Sequence, residues 1–423
     1  MKKRVAVLGA GLSGQSVADL AISEGYSVSI FDEEKAGYKS HFSKSDVSSF
    51  DTFIFSPGFS KKHKWRELLS ARDDVYGELG YAAERWHGKI FGVTGTNGKT
   101  TVTRFLQEVL KASGREAYVA GNIGVTLSGL VNSQANHKDA IAICEISSFQ
   151  AEITRGLSLD GLIWTNFAED HLDRYENIED YFNSKLALLD CLKETAPVCA
   201  GEDLLAFKER NFWSSHGVEL VKVDKTMPES LLPSSVFHSY PHLLNYHLVF
   251  GFIKSLESLD LGDIDLVSDL VSVANEFELD AHRLSKIFEK GGTKIWEDSK
   301  STNLHSVLGA LRAMEGPVIW LGGGASKNTN ISEFANCLAP LVDSIIVYGA
   351  VGAELKDAFL RLEKKSVYFD QLEDAIKESV RLAKGQKEVN LLFSPGFSSF
   401  DQFTSYSDRG NFFQKTIFSL LKE

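Results

Sequence analysis

The sequence predicts an α/β protein of three domains, and three observations lead there. A chain of 423 residues is longer than one hydrophobic core accommodates. Three stretches, opening at Arg4, at Lys89 and near Asp280, each run from a β-branched strand through a glycine turn into an amphipathic helix, the alternation that builds parallel sheets. The composition, 43% hydrophobic and 24% charged, is that of an ordinary globular protein. The expected domains are residues 1–88, 89–279 and 280–423. The first and third are expected to be Rossmann-like, and the second a P-loop type with a mostly parallel sheet.

In the first domain a strand at 4–8 enters Gly9-Ala10-Gly11-Leu12-Ser13-Gly14, a helix follows to about Glu24, and a second strand at 27–31 ends at Asp32. Glycines so spaced, with an acid closing the next strand, match the dinucleotide fingerprint, in which a pyrophosphate approaches a helix N-terminus. The same geometry can hold any nucleotide diphosphate, so a nicotinamide cofactor and another nucleotide both remain open.

In the second domain a strand at 89–93 runs into Thr94-Gly95-Thr96-Asn97-Gly98-Lys99-Thr100-Thr101, which opens a helix. Backbone donors, an ammonium and a magnesium-binding hydroxyl together point to a nucleotide phosphate. The strict P-loop pattern wants glycine at Val93, and this chain has it one residue earlier, at Gly92. Further strands are expected at 140–144 and 161–165, and a helix at 244–256. Glu145 follows an apolar strand at the carboxyl edge, where α/β sheets bind ligands. Lys185 lies on an amphipathic helix and by spacing alone is a snorkelling lysine. His171 is equally readable as a capping or core residue. In the third domain strands are expected at 318–321, 344–348 and 390–393, and a closing helix at 411–421.

A net charge of −12 argues against nonspecific nucleic-acid binding, which needs a positive surface to displace counterions. No segment approaches the roughly 20 apolar residues of a membrane span. The basic start, Met1-Lys2-Lys3-Arg4, is followed by an apolar run that stops at a glycine turn without a cleavage pattern, so a cytoplasmic protein is expected. Cys144, Cys191, Cys199 and Cys337 show no CxxC and no zinc spacing, which argues against a disulfide framework and a zinc site.

The loop Thr94–Thr100 resembles that of the Mur ligases and the related folylpolyglutamate synthases. In order along the chain, Gly121-Asn122-Ile123-Gly124, Glu145-Ile146-Ser147-Ser148-Phe149-Gln150, Asn166-Phe167-Ala168-Glu169-Asp170-His171-Leu172-Asp173-Arg174-Tyr175, Lys185, His282-Arg283, Asp298-Ser299-Lys300-Ser301-Thr302-Asn303 and Leu321-Gly322-Gly323 resemble further signatures of that superfamily. Of the family's His-Asn-x-x-Asn, the segment Leu244-Asn245-Tyr246-His247-Leu248 keeps Asn245. The closing Ser394-Pro395-Gly396-Phe397-Ser398-Ser399-Phe400-Asp401-Gln402-Phe403, with Arg409-Gly410-Asn411, is most similar to members that add D-glutamate.

The resemblance implies an ATP-dependent amide ligase of peptidoglycan synthesis, acting on UDP-N-acetylmuramoyl-L-alanine and D-glutamate through an acyl phosphate, and a monomer is expected. ATP would be held by Gly95 to Thr101 with Asn245, Arg283 and Asp298. Two magnesium ions would be served by Thr100, Glu145, His171 and a carbamylated Lys185, and Lys99, Glu145, His171 and Lys185 would be the catalytic set. The nucleotide sugar would meet Leu12, Ser13, Asp32, Gly58, Asn122, Ser147 and Gln150, and D-glutamate would meet Lys300, Thr302, Lys327, Ser399 and Tyr406. The rival expectations are another amide ligase of the superfamily and, from the first glycine turn, an NAD-dependent oxidoreductase.

Overall fold

The computed structural model describes residues 2–221, 230–238, 240–256 and 266–422. It divides into two compact units, one of Met1–Phe167, Glu179–Ser235 and Leu244–Phe277, the other of Ala168–Ile178, Val236–Leu243 and Glu278–Glu423. The α/β class expected from the sequence is what forms, among the described residues as three sheets, two in the first unit and one in the second.

The first sheet holds β1 (Arg4–Leu8), β2 (Ser27–Phe31), β3 (Thr52–Phe55) and β4 (Val75–Gly77), all parallel, in the order β2-β1-β3-β4. Val5 to Leu8 are all buried, as a parallel strand covered on both faces requires. Beside it Phe31, Phe42, Phe53 and Trp65 pack edge to face. The helix Leu12–Ser23 lies so close to β1 that a Cβ at Gly14 would sit 1.8 Å from Gly9 O. Gly14 is therefore a packing requirement, whatever the turn binds.

The second sheet holds β5 (Lys89–Thr94), β6 (Ala117–Gly121), β7 (Ile141–Glu145), β8 (Gly161–Trp164), β9 (Val198–Gly201) and β10 (Val218–Val221). Its order is β10-β9-β8-β5-β7-β6, again parallel. The strand order reverses about β5, and such a switch point opens a crevice at the carboxyl ends of the strands. Helix Lys99–Ala112 covers the sheet with Val102, Phe105, Leu106 and Val109, at the three- and four-residue spacing of an apolar helix face.

In the second unit β11 (Ser285–Lys290), β12 (Thr293–Glu297), β13 (Val318–Gly323), β14 (Ser344–Tyr348), β15 (Ser366–Phe369) and β16 (Val389–Gly396) run in the order β11-β12-β16-β13-β14-β15. The sheet is parallel except for β11, an antiparallel edge strand whose register slips between Lys286 and Phe288. Phe393 stacks on Phe413 with centroids 4.1 Å apart, fixing the last helix, Tyr406–Leu420. That helix begins five residues before the expected 411 because the Ser405 side chain accepts from Asp408 N and caps it there. Among the described residues no helix is long and apolar enough to cross a membrane.

Candidate active site

The loop between β5 and the helix Lys99–Ala112 turns on glycines at 95 and 98, with φ of +140° and +80°, conformations that side chains disfavour. At Gly98 there is also no space, since an added Cβ would lie 2.6 Å from Asn245 Oδ1. Asn245, on the helix His242–Leu256, is thus brought beside the loop. Asn166 braces the loop from the end of β8: its Oδ1 accepts from Asn97 N at 2.9 Å and its Nδ2 donates to Asn97 O at 3.0 Å. Thr165 Oγ1 donates to the same carbonyl at 2.5 Å.

Two ammonium groups converge on one acceptor. Lys99 Nζ donates to Gly95 O at 3.0 Å and to Thr96 O at 2.8 Å. Lys185 Nζ, on the helix Ile178–Leu186, donates to Gly95 O at 2.9 Å. Lys185 is 1% exposed, and its Nζ lies 4.9 Å from the centroid of the Tyr181 ring. Two like charges sharing a carbonyl in a buried place repel strongly, so this is no snorkelling surface lysine.

Glu145 ends β7 and is 2% exposed. Its Oε2 accepts from Thr100 Oγ1 at 2.7 Å and its Oε1 from Asn122 Nδ2 at 2.8 Å. A carboxylate and a hydroxyl touching beside a phosphate-type loop form an oxygen donor set of the kind magnesium takes, with phosphate oxygens completing the shell. Among the described residues no group of three or more His, Cys, Asp or Glu could hold a metal, and a phosphate-borne ion does not require one. Ser147 and Gln150 form a capping box at the helix Ser148–Ala151.

At the first glycine turn Leu12 is 75% exposed at the start of its helix, with Ser13 half-buried beside it. Asp32 is engaged by the backbone: its carboxylate accepts from Ala10 N at 2.7 Å, Glu34 N at 3.0 Å and Lys35 N at 2.9 Å. Burial works against its charge, and these donors with Lys35 prevail and hold the carboxyl below the ordinary value. Gly58 is exposed, next to the Ser56 and Pro57 that line a small cavity with Glu78, Phe149 and Gln150.

In the second unit a cleft of about 370 Å³ is lined among others by Asp170, His171, Thr302, Asn303, Lys327 and Glu333. Lys327 Nζ donates to Asp170 Oδ1 at 3.1 Å, and Asn303 Nδ2 to Asp170 Oδ2 at 3.1 Å. Burial pushes against ionisation of Asp170, but Lys327, His171 and Asn303 outweigh it and keep the carboxyl low. His171 has φ of +57°, a backbone conformation costly for a side chain this large, and its Nε2 lies 3.8 Å from Asp170 Oδ2.

Away from those cleft residues, Lys300 Nζ lies 5.2 Å from the Tyr406 ring centroid, and Ser399 is buried. Asp298 accepts from Leu284 N at 3.1 Å and from Ser394 Oγ at 2.8 Å. Burial raises its carboxyl to about 7 in spite of those donors. Arg283 Nε lies 3.7 Å from Asp280 Oδ2.

Sequence reasoning quoted Asn166 and Asp170 inside a motif without giving either a task. It gave no task to Tyr181, whose hydroxyl shares a 3.2 Å hydrogen bond with Thr96 Oγ1, nor to Arg409, which it quoted only within the closing signature. The fully buried Arg409 guanidinium donates to Phe397 O at 2.9 Å and Ser299 O at 2.8 Å, tying two loops that carry candidates. A lone arginine inside an apolar helix pattern was the available signal.

Residues 93–238 match the model of the Mur ligase middle domain, and 282–395 that of the Mur ligase, glutamate ligase domain. A UDP-N-acetylmuramoylalanine–D-glutamate ligase of Gloeobacter violaceus is 30% identical, over 98% of this chain and 99% of its own. The protein of that name from Aquifex aeolicus is 29% identical over 97% of each chain. Among solved structures, MurF from Acinetobacter baumannii aligns with a TM-score of 0.63 at 15% identity, covering 98% of this chain and 93% of that one. The MurF ligase of Thermotoga maritima in complex with ADP aligns with 0.60 at 16%, covering 93% and 95%. The structural neighbours speak for the fold, the sequence relatives for descent: the chain belongs to the Mur ligase family, in the branch whose members are named UDP-N-acetylmuramoylalanine–D-glutamate ligase.

Proposed function

We propose that this protein joins D-glutamate to UDP-N-acetylmuramoyl-L-alanine at the expense of ATP, in cytoplasmic peptidoglycan synthesis. The observation that carries the reading is the contact of Thr100 with Glu145 beside the glycine loop that holds Lys99, at the switch point of the second sheet. Joining a carboxylate to an amine in water is uphill, so the alanyl carboxylate first takes a phosphoryl group and becomes an acyl phosphate. Two anions have to approach each other, and cations must offset their repulsion.

Lys99 is suited to the β- and γ-phosphates once it leaves the carbonyls of its own loop. Thr100 and Glu145 are the oxygen donors for one magnesium ion, and His171 is assigned to a second. Magnesium, when bound, neutralises charge on the transferring phosphoryl group. Crowding of Lys185 against Lys99 at Gly95 O supports its carbamylation, because adding carbon dioxide turns a repelled cation into an anion that Lys99 and a metal attract. Asn245 beside Gly98 is assigned to the nucleotide, as are Arg283 and Asp298.

The nucleotide sugar is assigned to Leu12, Ser13, Asp32 and Gly58, with Asn122, Ser147 and Gln150 toward its muramoyl end. D-Glutamate is assigned to the second unit, its two carboxylates answered by Lys327, Thr302, Lys300, Ser399 and Tyr406. The decisive assay offers purified protein UDP-N-acetylmuramoyl-L-alanine, magnesium and bicarbonate, and follows ATP consumption with D-glutamate against L-glutamate. Turnover with the D-isomer is expected; failure to consume ATP with the complete set refutes the assignment.

A further inference from the structure

The short helix Leu127–Val131 is held at its N-terminal end by side chains from around the first sheet. Thr126 caps it, Oγ1 accepting from Gly129 N at 3.1 Å, and Ser16, from the helix Leu12–Ser23, shares a 2.5 Å hydrogen bond with that Oγ1. Glu78, which opens the helix Glu78–Ala83, accepts from Ser128 N through Oε1 at 2.7 Å. It is 4% exposed, and its Oε2 is buried without a hydrogen-bond partner. A carboxyl buried with one oxygen unanswered is costly, and no step of the proposed reaction uses it.

What precedes this helix leads to the candidate metal carboxylate. Gly121 N donates to Val125 O at 3.0 Å, and Asn122 N to Glu145 O at 2.9 Å, while Asn122 Nδ2 holds Glu145 Oε1. Both ends of this loop are glycines with positive φ, +95° at Gly121 and +68° at Gly124. Glycines leave a loop conformationally free, so its shape has to be imposed from outside. Hydrogen bonds tie Glu78 and Ser16 to the capped helix, the chain from Thr126 back to Asn122 continues the route, and hydrogen bonds carry it on to Glu145 and Thr100.

We propose that Glu78, with Ser16, is a positioning residue: by fixing the helix Leu127–Val131 it sets the Asn122 loop, and through Asn122 the orientation of the Glu145 carboxylate toward its cation. This rests on the assignment of Glu145 to magnesium. The domain assigned to the nucleotide sugar then governs the order of the nucleotide-phosphate site through one short helix, within the same compact unit. Burial pushes the Glu78 carboxyl up, although the Ser128 N–H pulls the other way. A glutamine at this position, neutral and able to accept from Ser128 N, should preserve the anchor.

The test is calorimetric binding of ADP to the full chain, with and without magnesium, for the wild type and for Glu78→Ala, Glu78→Gln, Ser16→Ala and Glu145→Ala. Glu78→Ala is expected to weaken ADP binding in magnesium about tenfold, the size of an ordinary coupling between sites, and to leave magnesium-free binding unchanged. Ser16→Ala should do the same by about threefold, and Glu78→Gln should stay within about twofold of the wild type. Equal weakening with and without magnesium, or none, overturns the proposal. Should Glu78→Ala fail to fold, Ser16→Ala decides by the same criterion. Loss of the magnesium effect in Glu145→Ala alone overturns the positioning role by itself, whereas its persistence in Glu145→Ala overturns the assignment of Glu145 and the proposal with it.

Discussion

Around the phosphate loop of the first unit polar groups answer one another closely: Lys99 and Lys185 at Gly95 O, Thr100 and Asn122 at Glu145, Asn166 at Asn97. The cleft of the second unit is organised instead about one carboxylate, Asp170, with Lys327 and Asn303 on it. On the proposed reading, the first arrangement is preorganised for a ligand of fixed shape, a nucleotide phosphate, and would give up internal hydrogen bonds when that ligand arrives. The second keeps the Lys327 ammonium in place by pairing it with Asp170, so on the proposed reading an incoming carboxylate would compete with Asp170 for a cation already oriented.

Three substitutions would break or sharpen this contrast. The largest effect belongs to Lys99→Ala, which should lower turnover about 10³-fold, since the ammonium acts on charge developing in the transition state; retained ATP consumption would remove the loop from the chemistry. Next, Lys327→Met should raise KM for D-glutamate about 30-fold, the cost of deleting one member of a largely desolvated charge pair, with KM for ATP little changed. If both constants rise together, the two sites are not separate in function.

The smallest effect is a slope. Asp298 is raised by burial to about 7 when folded, above its unfolded value. The folded protein therefore binds the extra proton between the two values, and stability from this group is present at low pH and lost as pH climbs to about 7. Asp298→Asn should remove that component, so the difference in urea midpoint between variant and wild type should move in the variant's favour from pH 5 to pH 7 and level off above. A constant difference across that range would contradict the buried, raised carboxyl.

The same contrast explains what could be read in advance. The phosphate loop is contiguous, Gly95 to Thr101, so its donors, cation and hydroxyl were legible as one pattern, and Glu145 followed from the rule that ligands gather at the carboxyl edge of a parallel sheet. The cleft is assembled from Ala168–Ile178, the turn around Thr302 and the loop at Lys327, far apart in sequence. Only resemblance to a family brought those residues together on paper. Asp170 was missed because an acid in a run of polar residues normally belongs to a solvated face, and burial became visible only in three dimensions. The early start of the last helix had a local signal, Ser405 three residues before Asp408, that the apolar periodicity from Asn411 onward had obscured.

The edge of the second unit's sheet has a consequence for handling the protein. An exposed strand with a regular row of unpaired amides and carbonyls is a template for another chain. Here that row belongs to β11, which carries Lys286, Glu289 and Lys290 and slips register after Lys286. Charged side chains on an irregular border discourage a neighbouring molecule from extending the sheet, so concentrated samples should resist fibrous aggregation along this side.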